Sequence, residues 1–206
     1  PPAALEDMVT ALRGMANFQG MAVTIPHKMA IAELCDSLGP EAKLTGAVNA
    51  IRFEPDGSMH GDNFDGAGFV AGLRQQGHDP AGMDILMLGA GGAARAIALA
   101  LCTAGVGRLR ILNRTPDKAA AIVAALAEVG GHHQAEVATG HDGSGVDLIV
   151  NTTSLGLHQG DALPIALDAA GADTVIAEII MVPARTEWLA AAAARGLVTH
   201  YGRHML

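Results

Sequence analysis

Apolar and polar positions along this chain fall into two periods, and the periods alternate regularly after residue 82. Ile85 to Leu88 is an unbroken apolar run, the pattern of a strand buried on both faces. Residues 92–104 then repeat apolar positions at helical spacing. Read onward in the same way, the pattern predicts strands at 108–113, 135–138, 146–151, 174–179 and 197–200, with helices at 116–128 and 186–195. Strand and helix alternating in this manner predict a parallel, doubly wound sheet. The first third reads differently. Leu5, Met8, Val9 and Leu12 share one face of a helix over 3–16, GMAVTI at 20–25 is a short strand stopped by Pro26, and HKMAIAELC resumes as a helix. The stretch LTGAVNAIRFEPDGSMHGDN reads as two strands joined at Pro55-Asp56-Gly57, residue types that favour a turn. Asp65 and Gly66 open a helix, DGAGFVAGLRQQG, that links an α/β domain over 1–66 to a second domain over 67–202.

Composition narrows the class. Half of the 206 residues are hydrophobic, much of that alanine, and only 3% are aromatic. The formal net charge of −8 and the absence of a basic run argue against a nucleic-acid surface. The longest apolar run, at 96–105, is too short to span a bilayer, and the opening PPAALEDM has no basic-then-apolar leader. A cytoplasmic protein is therefore expected. Cys35 and Cys102 stand in apolar, helix-like surroundings and read as reduced core thiols rather than a disulfide. His132, His133 and His141 lie in a glycine-rich stretch that reads as a solvated loop, with no cysteine or acidic set to complete a metal site. His200 and His204 are four residues apart, but Gly202 interrupts any helix between them. No metal is expected.

The chemistry is concentrated in short polar motifs. After the strand at 85–88, Gly89, Gly91 and Ala94 follow the spacing of a dinucleotide fingerprint: a tight turn, close backbone approach to a pyrophosphate, and close helix–strand packing. The helix starting near Gly92 points its free N–H groups at that pyrophosphate. A glycine fingerprint alone is weak, because strand–turn–helix units need glycine for structural reasons too. The second strand adds information by ending in Asn113, Arg114 and Thr115, with Lys118 one helical step on. An acidic residue there would read a free ribose, whereas a guanidinium can bind a 2′-phosphate bidentately. NADP is the expected cofactor; the plainer alternative is that Arg114 and Lys118 are solvated charges. Three further polar clusters precede the fingerprint: Thr24 with Lys28, Asn49, and Asp62-Asn63 with Asp65. A lysine held by a carboxylate such as Asp65 can move a proton to or from an alcohol while a nicotinamide moves the hydride. A solvated lysine and an aspartate N-cap would explain the same residues structurally.

VTIPHK, GAVNA, GDNFDG, GAGGAAR, NRTPDKA and NTTSLG occur here in the order and with the gaps of the shikimate dehydrogenase family, and the chain resembles that family over residues 14–202. The resemblance implies a two-domain α/β enzyme, a substrate domain followed by a Rossmann-type NADP domain, that interconverts 3-dehydroshikimate and shikimate. Carried over by motif, Lys28 and Asp65 are the catalytic pair, and Thr24, Asn49 and Asn63 lie around the ring hydroxyls. Gly89, Ala90, Gly91, Gly92 and Ala93 match the diphosphate loop. Asn113, Arg114, Thr115 and Lys118 match the 2′-phosphate clamp, and Thr152, Ser154 and Gly156 fall in the nicotinamide-side segment. The family also carries a first βα unit with two serines, and a glutamine-bearing helix after Gly-x-x-Met-Leu. The given sequence contains neither, with 203–206 matching only the start of that helix, so part of the substrate site is expected to be missing from it. Within the motifs, Phe64 stands for the usual Thr, Met181 for the usual Tyr and Leu157 for the usual Met. Phe64 and Met181 place apolar side chains at substrate positions, which keeps a quinate or aminoshikimate-type dehydrogenase open as an alternative. From another class, a non-catalytic NADP-binding module also remains open, as do monomer and homodimer.

Overall fold

A computed structural model describes residues 4–24, 26–130, 134–140, 143–168 and 170–206. His132, His133 and His141 lie outside the described residues. The chain divides into two compact units, Pro1–Phe64 and Asp65–Leu206.

The first unit contains helix α1 (Leu5–Arg13), strand β1 (Gly20–Ala22), helix α2 (Lys28–Ala32), strand β2 (Ser37–Leu38), helix α3 (Pro40–Thr45) and strands β3 (Ala50–Phe53) and β4 (Met59–Asp62). Its sheet runs β1-β3-β4-β2, with β3 antiparallel to both neighbours. The β3–β4 hairpin turns where Pro55-Asp56-Gly57 required it: Glu54 N–H donates to Ser58 O, and Gly57 takes φ +83°, a conformation that a side chain resists. Leu5 and Val9 of α1 join Ile31, Ala42, Val48, Ile51 and Met59 in the core. Met8, expected on that face, is instead 47% exposed, so the buried stripe of α1 is narrower than its apolar pattern. Helix α3 and strand β2 escape the hydrophobic pattern because each is very short. The punctuation of α3 is nonetheless present: Pro40 takes the first helical position and Gly46 ends the helix in the left-handed conformation.

The second unit opens with α4 (Asp65–Gln75) and continues through β5 (Asp84–Leu88), α5 (Gly92–Thr103), β6 (Arg108–Leu112), α6 (Pro116–Gly130), β7 (Ala135–Val137), β8 (Leu148–Asn151), β9 (Val175–Glu178), α7 (Glu187–Ala194) and β10 (Val198–His200). All six strands pair in parallel in the order β10-β9-β8-β5-β6-β7. This is the doubly wound sheet the alternation predicts. The order reverses between β5 and β8, which opens a crevice at the carboxyl ends of those strands. The first unit ends at Phe64, two residues before the boundary expected at 66. Helix α4, expected as a link, packs on α5 so closely that a Cβ at Gly66 would lie 2.1 Å from Ala96 O. Residues 202–205 form a 3-10 turn packed on α4.

His200 is buried in β10, meets Phe69 of α4 edge-to-face at 5.6 Å and brings its Nδ1 to 3.4 Å from His204 Nδ1. Burial pushes its pKa down to about 4, so the ring is neutral near pH 7. Among the described residues, no three His, Cys, Asp or Glu are gathered as for a metal ion, and no helix is long and apolar enough to cross a membrane. Cys35 and Cys102 are free thiols; Cys102 is buried in α5, while Cys35, just past α2, is only half-buried.

Candidate functional site

In the first unit, sheet register gathers the three polar clusters. Ala22 pairs with Ala50 and Ala50 with Asp62, so the end of β1, the start of β3 and the end of β4 lie side by side. Thr24 and Lys28 follow the first, Asn49 precedes the second, and Asn63-Phe64 follow the third. Two backbone bonds lock this edge: Val23 N–H donates to Asn49 O at 2.7 Å, and Val48 N–H to Lys28 O at 2.8 Å. Thr24 is exposed, while Lys28, the first residue of α2, and Asn49 are half-buried. Asn49 Oδ1 accepts from Phe64 N at 2.9 Å, fixing the turn at the end of β4. Asn63, expected beside a substrate, is 3% exposed and its Nδ2 donates to Ala47 O, while Asp62 Oδ1 accepts from the backbone N–H groups of Asn63 and Ala42. Phe64 is 55% exposed, so it is not a core residue.

In the second unit, Asp65 is the half-buried first residue of α4. The glycine loop lies where β5 meets α5. Gly89 has φ +110°, and a Cβ there would stand 2.6 Å from Thr152 Oγ1, so only glycine fits. At Gly91 and Gly92 an added Cβ would meet nothing within 4 Å, which leaves the loop backbone open to a ligand. Gly91 is the N-cap of α5 and supplies no side-chain cap, so the first N–H groups of that twelve-residue helix are available to an anion. Ala94 is fully buried.

These elements border a cavity of about 780 Å3. Gly89, Ala90, Gly91, Asn113, Arg114, Thr115, Lys118 and Ser154 line it together. Asn113 Nδ2 donates to Thr115 O at 2.9 Å and shapes the turn after β6. Arg114 and Lys118 are exposed and make no ion pair among the described residues, although they stand at the N-terminus of α6, where the dipole disfavours cations. Gly92, Ala93, Thr152 and Gly156 do not line this cavity. Thr152 is 9% exposed and spends its hydroxyl on Leu88 O at 2.7 Å, tying β8 to β5. Gly156 instead borders a neighbouring cavity of about 390 Å3, with Leu157, Val182 and Trp188. Thr139, Gly140 and Pro164 also line the larger cavity, and sequence motifs did not point to them.

Leu88, Asn151 and Glu178 stand in one row across the ends of β5, β8 and β9. Asn151 is fully buried and organises the next turn. Its Oδ1 accepts from Thr153 N and Thr153 Oγ1, and its Nδ2 donates to Leu155 O. Glu178 is fully buried too. Thr186 Oγ1 donates to its Oε2 at 2.9 Å, while Oε1 has no partner among the described residues. Burial pushes its pKa up to about 7 against the pull of Thr186. A carboxyl at the end of the otherwise apolar strand Val-Ile-Ala-Glu was the available signal for it. Met181 is half-buried in the loop between Glu178 and Thr186.

Comparison with known proteins agrees with both units. Residues 1–51 match the shikimate dehydrogenase substrate binding domain, and residues 73–143 match the shikimate / quinate 5-dehydrogenase family. The shikimate dehydrogenase (NADP(+)) of Acidiphilium cryptum is 44% identical over 198 residues, covering 96% of this chain and 70% of that protein. The enzyme of the same name from Rubrobacter xylanophilus is 39% identical over 209 residues, covering 100% of this chain and 73% of that protein. Among solved structures, the ligand-free 5-ketofructose reductase of Gluconobacter sp. strain CHM43 superposes with a TM-score of 0.88 at 35% identity, covering 100% of this chain and 74% of that one. With the six motifs in order, both domain families matched and relatives 39% and 44% identical over 96% or more of this chain, the chain belongs to the shikimate dehydrogenase family.

Proposed function

We propose that this protein is an NADP-dependent oxidoreductase that interconverts 3-dehydroshikimate and shikimate, or a close cyclic polyol acid, with the cytoplasm as its setting. The observation that carries the cofactor half is the pair of unpaired cations, Arg114 and Lys118, on the wall of a cavity whose floor is an uncapped helix N-terminus. The fit is good on geometry: open space over Gly91 and Gly92 admits a diphosphate, and no carboxylate lines the cavity to repel a 2′-phosphate. The N–H groups at the start of α5 would hold the diphosphate, and Arg114 and Lys118 the 2′-phosphate. When bound, NADPH supplies the hydride.

Proton movement belongs to Lys28 and Asp65. As the substrate carbonyl oxygen gains negative charge, the Lys28 ammonium donates its proton to that oxygen, and Asp65 orients the ammonium and steadies its charge. In the reverse direction the same lysine takes the alcohol proton. A pure NADP-binding module would gain nothing from this pair. Thr24 and Asn49, gathered on the same sheet edge as Lys28, supply hydrogen bonds to ring hydroxyls.

One observation favours a second reading. Phe64 presents an exposed apolar ring beside the reacting motif, and the chain is 35% identical to a 5-ketofructose reductase. The substrate in that reading is an uncharged polyhydroxy ketone. Following NADPH absorbance with shikimate, quinate and fructose as alcohols, and with their ketones in reverse, separates the two. Turnover of shikimate at the highest kcat/KM supports the first reading. Preference for the sugar supports the second, and no turnover with any of them sinks both.

A further inference from the structure

The loop from 179 to 185 carries Met181, and it is closed by one buried contact. Glu178 at the end of β9 and Thr186 at the start of α7 flank the loop, and the Thr186 hydroxyl reaches back to Glu178 Oε2 at 2.9 Å. The same hydroxyl oxygen accepts from Leu189 N at 3.2 Å, so the contact also caps α7. Thr186 then touches a second segment: a Cβ on Gly156 would lie 3.2 Å from Thr186 Cγ2 and 3.3 Å from Ile180 Cδ1. Glu178 thus supports the loop that begins behind it, and through Thr186 it supports the turn that Asn151 organises from the neighbouring strand.

We infer that Glu178 is a positioning residue that staples the 179–185 loop and the Gly156 turn into their working geometry. The inference rests on the proposed function and on the family resemblance, which puts Gly156 in the nicotinamide-side segment and Met181 at a substrate position. The protonated carboxyl suits this role. Below its pKa it is neutral in a fully buried position, where it keeps its bond to Thr186. Ionisation leaves a buried charge with Oε1 unpartnered, and the loop must open to hydrate it. The titratable groups on surrounding elements do not substitute. Arg185 and Glu187 are exposed, Asp161 is engaged by the Gly156 and His158 amides, and His200 pairs in register with Ala177 and meets Phe69 edge-to-face, on the opposite face of the sheet. Its pKa of about 7 is set by burial and by Thr186, so the staple titrates close to neutrality.

Hydrogen exchange of the amides at 180–185, corrected for intrinsic rates, tests this from pH 5.5 to 8.5 on the full chain, unaltered and as Glu178→Gln. In the unaltered protein, exchange at these amides should quicken by at least tenfold above pH 8, while Glu178→Gln should stay protected throughout. Alongside, kcat for the unaltered enzyme should lose a step near pH 7 that Glu178→Gln lacks, with KM for NADP nearly equal in the two. Glu178→Leu, which keeps the bulk but not the bond to Thr186, should expose the loop at every pH. Protection that is independent of pH in the unaltered protein, or a Glu178→Leu loop as protected as the original, overturns the inference. Loop opening as described with no NADP-dependent turnover upholds the staple and removes the proposed reaction instead.

Discussion

Thr152 Oγ1 occupies the space that a side chain at Gly89 would need, 2.6 Å from the position of its Cβ. Thr152 cannot yield, because both its hydroxyl and its amide are bonded to Leu88 O, at 2.7 and 2.8 Å. Gly89 also lies at φ +110°. Gly89→Ala should therefore destabilise the second unit by at least ~2 kcal/mol, from backbone strain together with overpacking. Urea unfolding measures this; a loss under 0.5 kcal/mol would show that the loop relaxes freely.

Lys28→Ala should lower kcat by roughly two to four powers of ten, the range for general acid–base catalysis, with little change in NADP binding. Asp65→Asn should act in the same direction but more mildly, since the amide still orients the ammonium. Steady-state kinetics check both, and near-full turnover by Lys28→Ala would refute the assignment.

Arg114→Ala should weaken NADP by about 1.5–3 kcal/mol, the worth of a charge-assisted contact, and leave NAD nearly unaffected. Titration calorimetry with each cofactor decides the matter. Equal losses for the two would mean that Arg114 supports the fold and does not read the phosphate.

Phe64→Thr and Met181→Tyr together should raise kcat/KM for shikimate, because a site built for a polar group loses heavily when that group has no partner. The 55% exposure of Phe64 already removes the alternative that it packs in the core. Both single variants and the double should be compared on shikimate and quinate. If none moves the ratio between substrates twofold, these positions do not set specificity.

Stability should vary with pH through two buried groups of opposite sign. The Glu178 pKa of about 7 lies above the ordinary 4.5, so its contribution is complete in acid below about 4.5 and is lost as pH rises through 7. The His200 pKa of about 4 lies below the ordinary 6.5, so its contribution is present above 6.5 and lost as pH falls through 4. Each is worth on the order of 3 kcal/mol, and between pH 5 and 7 they largely cancel. Denaturation of Glu178→Gln should show stability falling on acidification, and His200→Leu should show it rising. Parallel curves for both variants and the parent would contradict this.

The hydrophobic pattern located the six parallel strands of the second unit within a residue or two at most ends: β5, β8 and β9 because strands buried on both faces are apolar almost throughout, and β6, β7 and β10 by their place in the alternation with helices. Residue types at strand ends likewise determined the glycine loop and the cations after β6, since each answers a local demand: φ beyond the reach of a side chain, or charge matched to phosphate. Helix α3 and strand β2 were less legible, being too short to show a period. Side-chain direction was decided only by tertiary contacts. Asn63 reads in sequence as a polar site residue, and only the folded chain shows that its Nδ2 is bonded to Ala47 O. Thr152 reads in sequence as a polar residue on the nicotinamide side, and only the folded chain shows that its hydroxyl donates to Leu88 O. Glu178 stands out in sequence only as a carboxyl ending an apolar strand; its partner does not show there, because Thr186 lies eight residues away, across a loop that the packing of α7 on the sheet brings back. Local chemistry fixes which residues can act; which of them face a ligand depends on bonds made at a distance, and no period in the sequence records those.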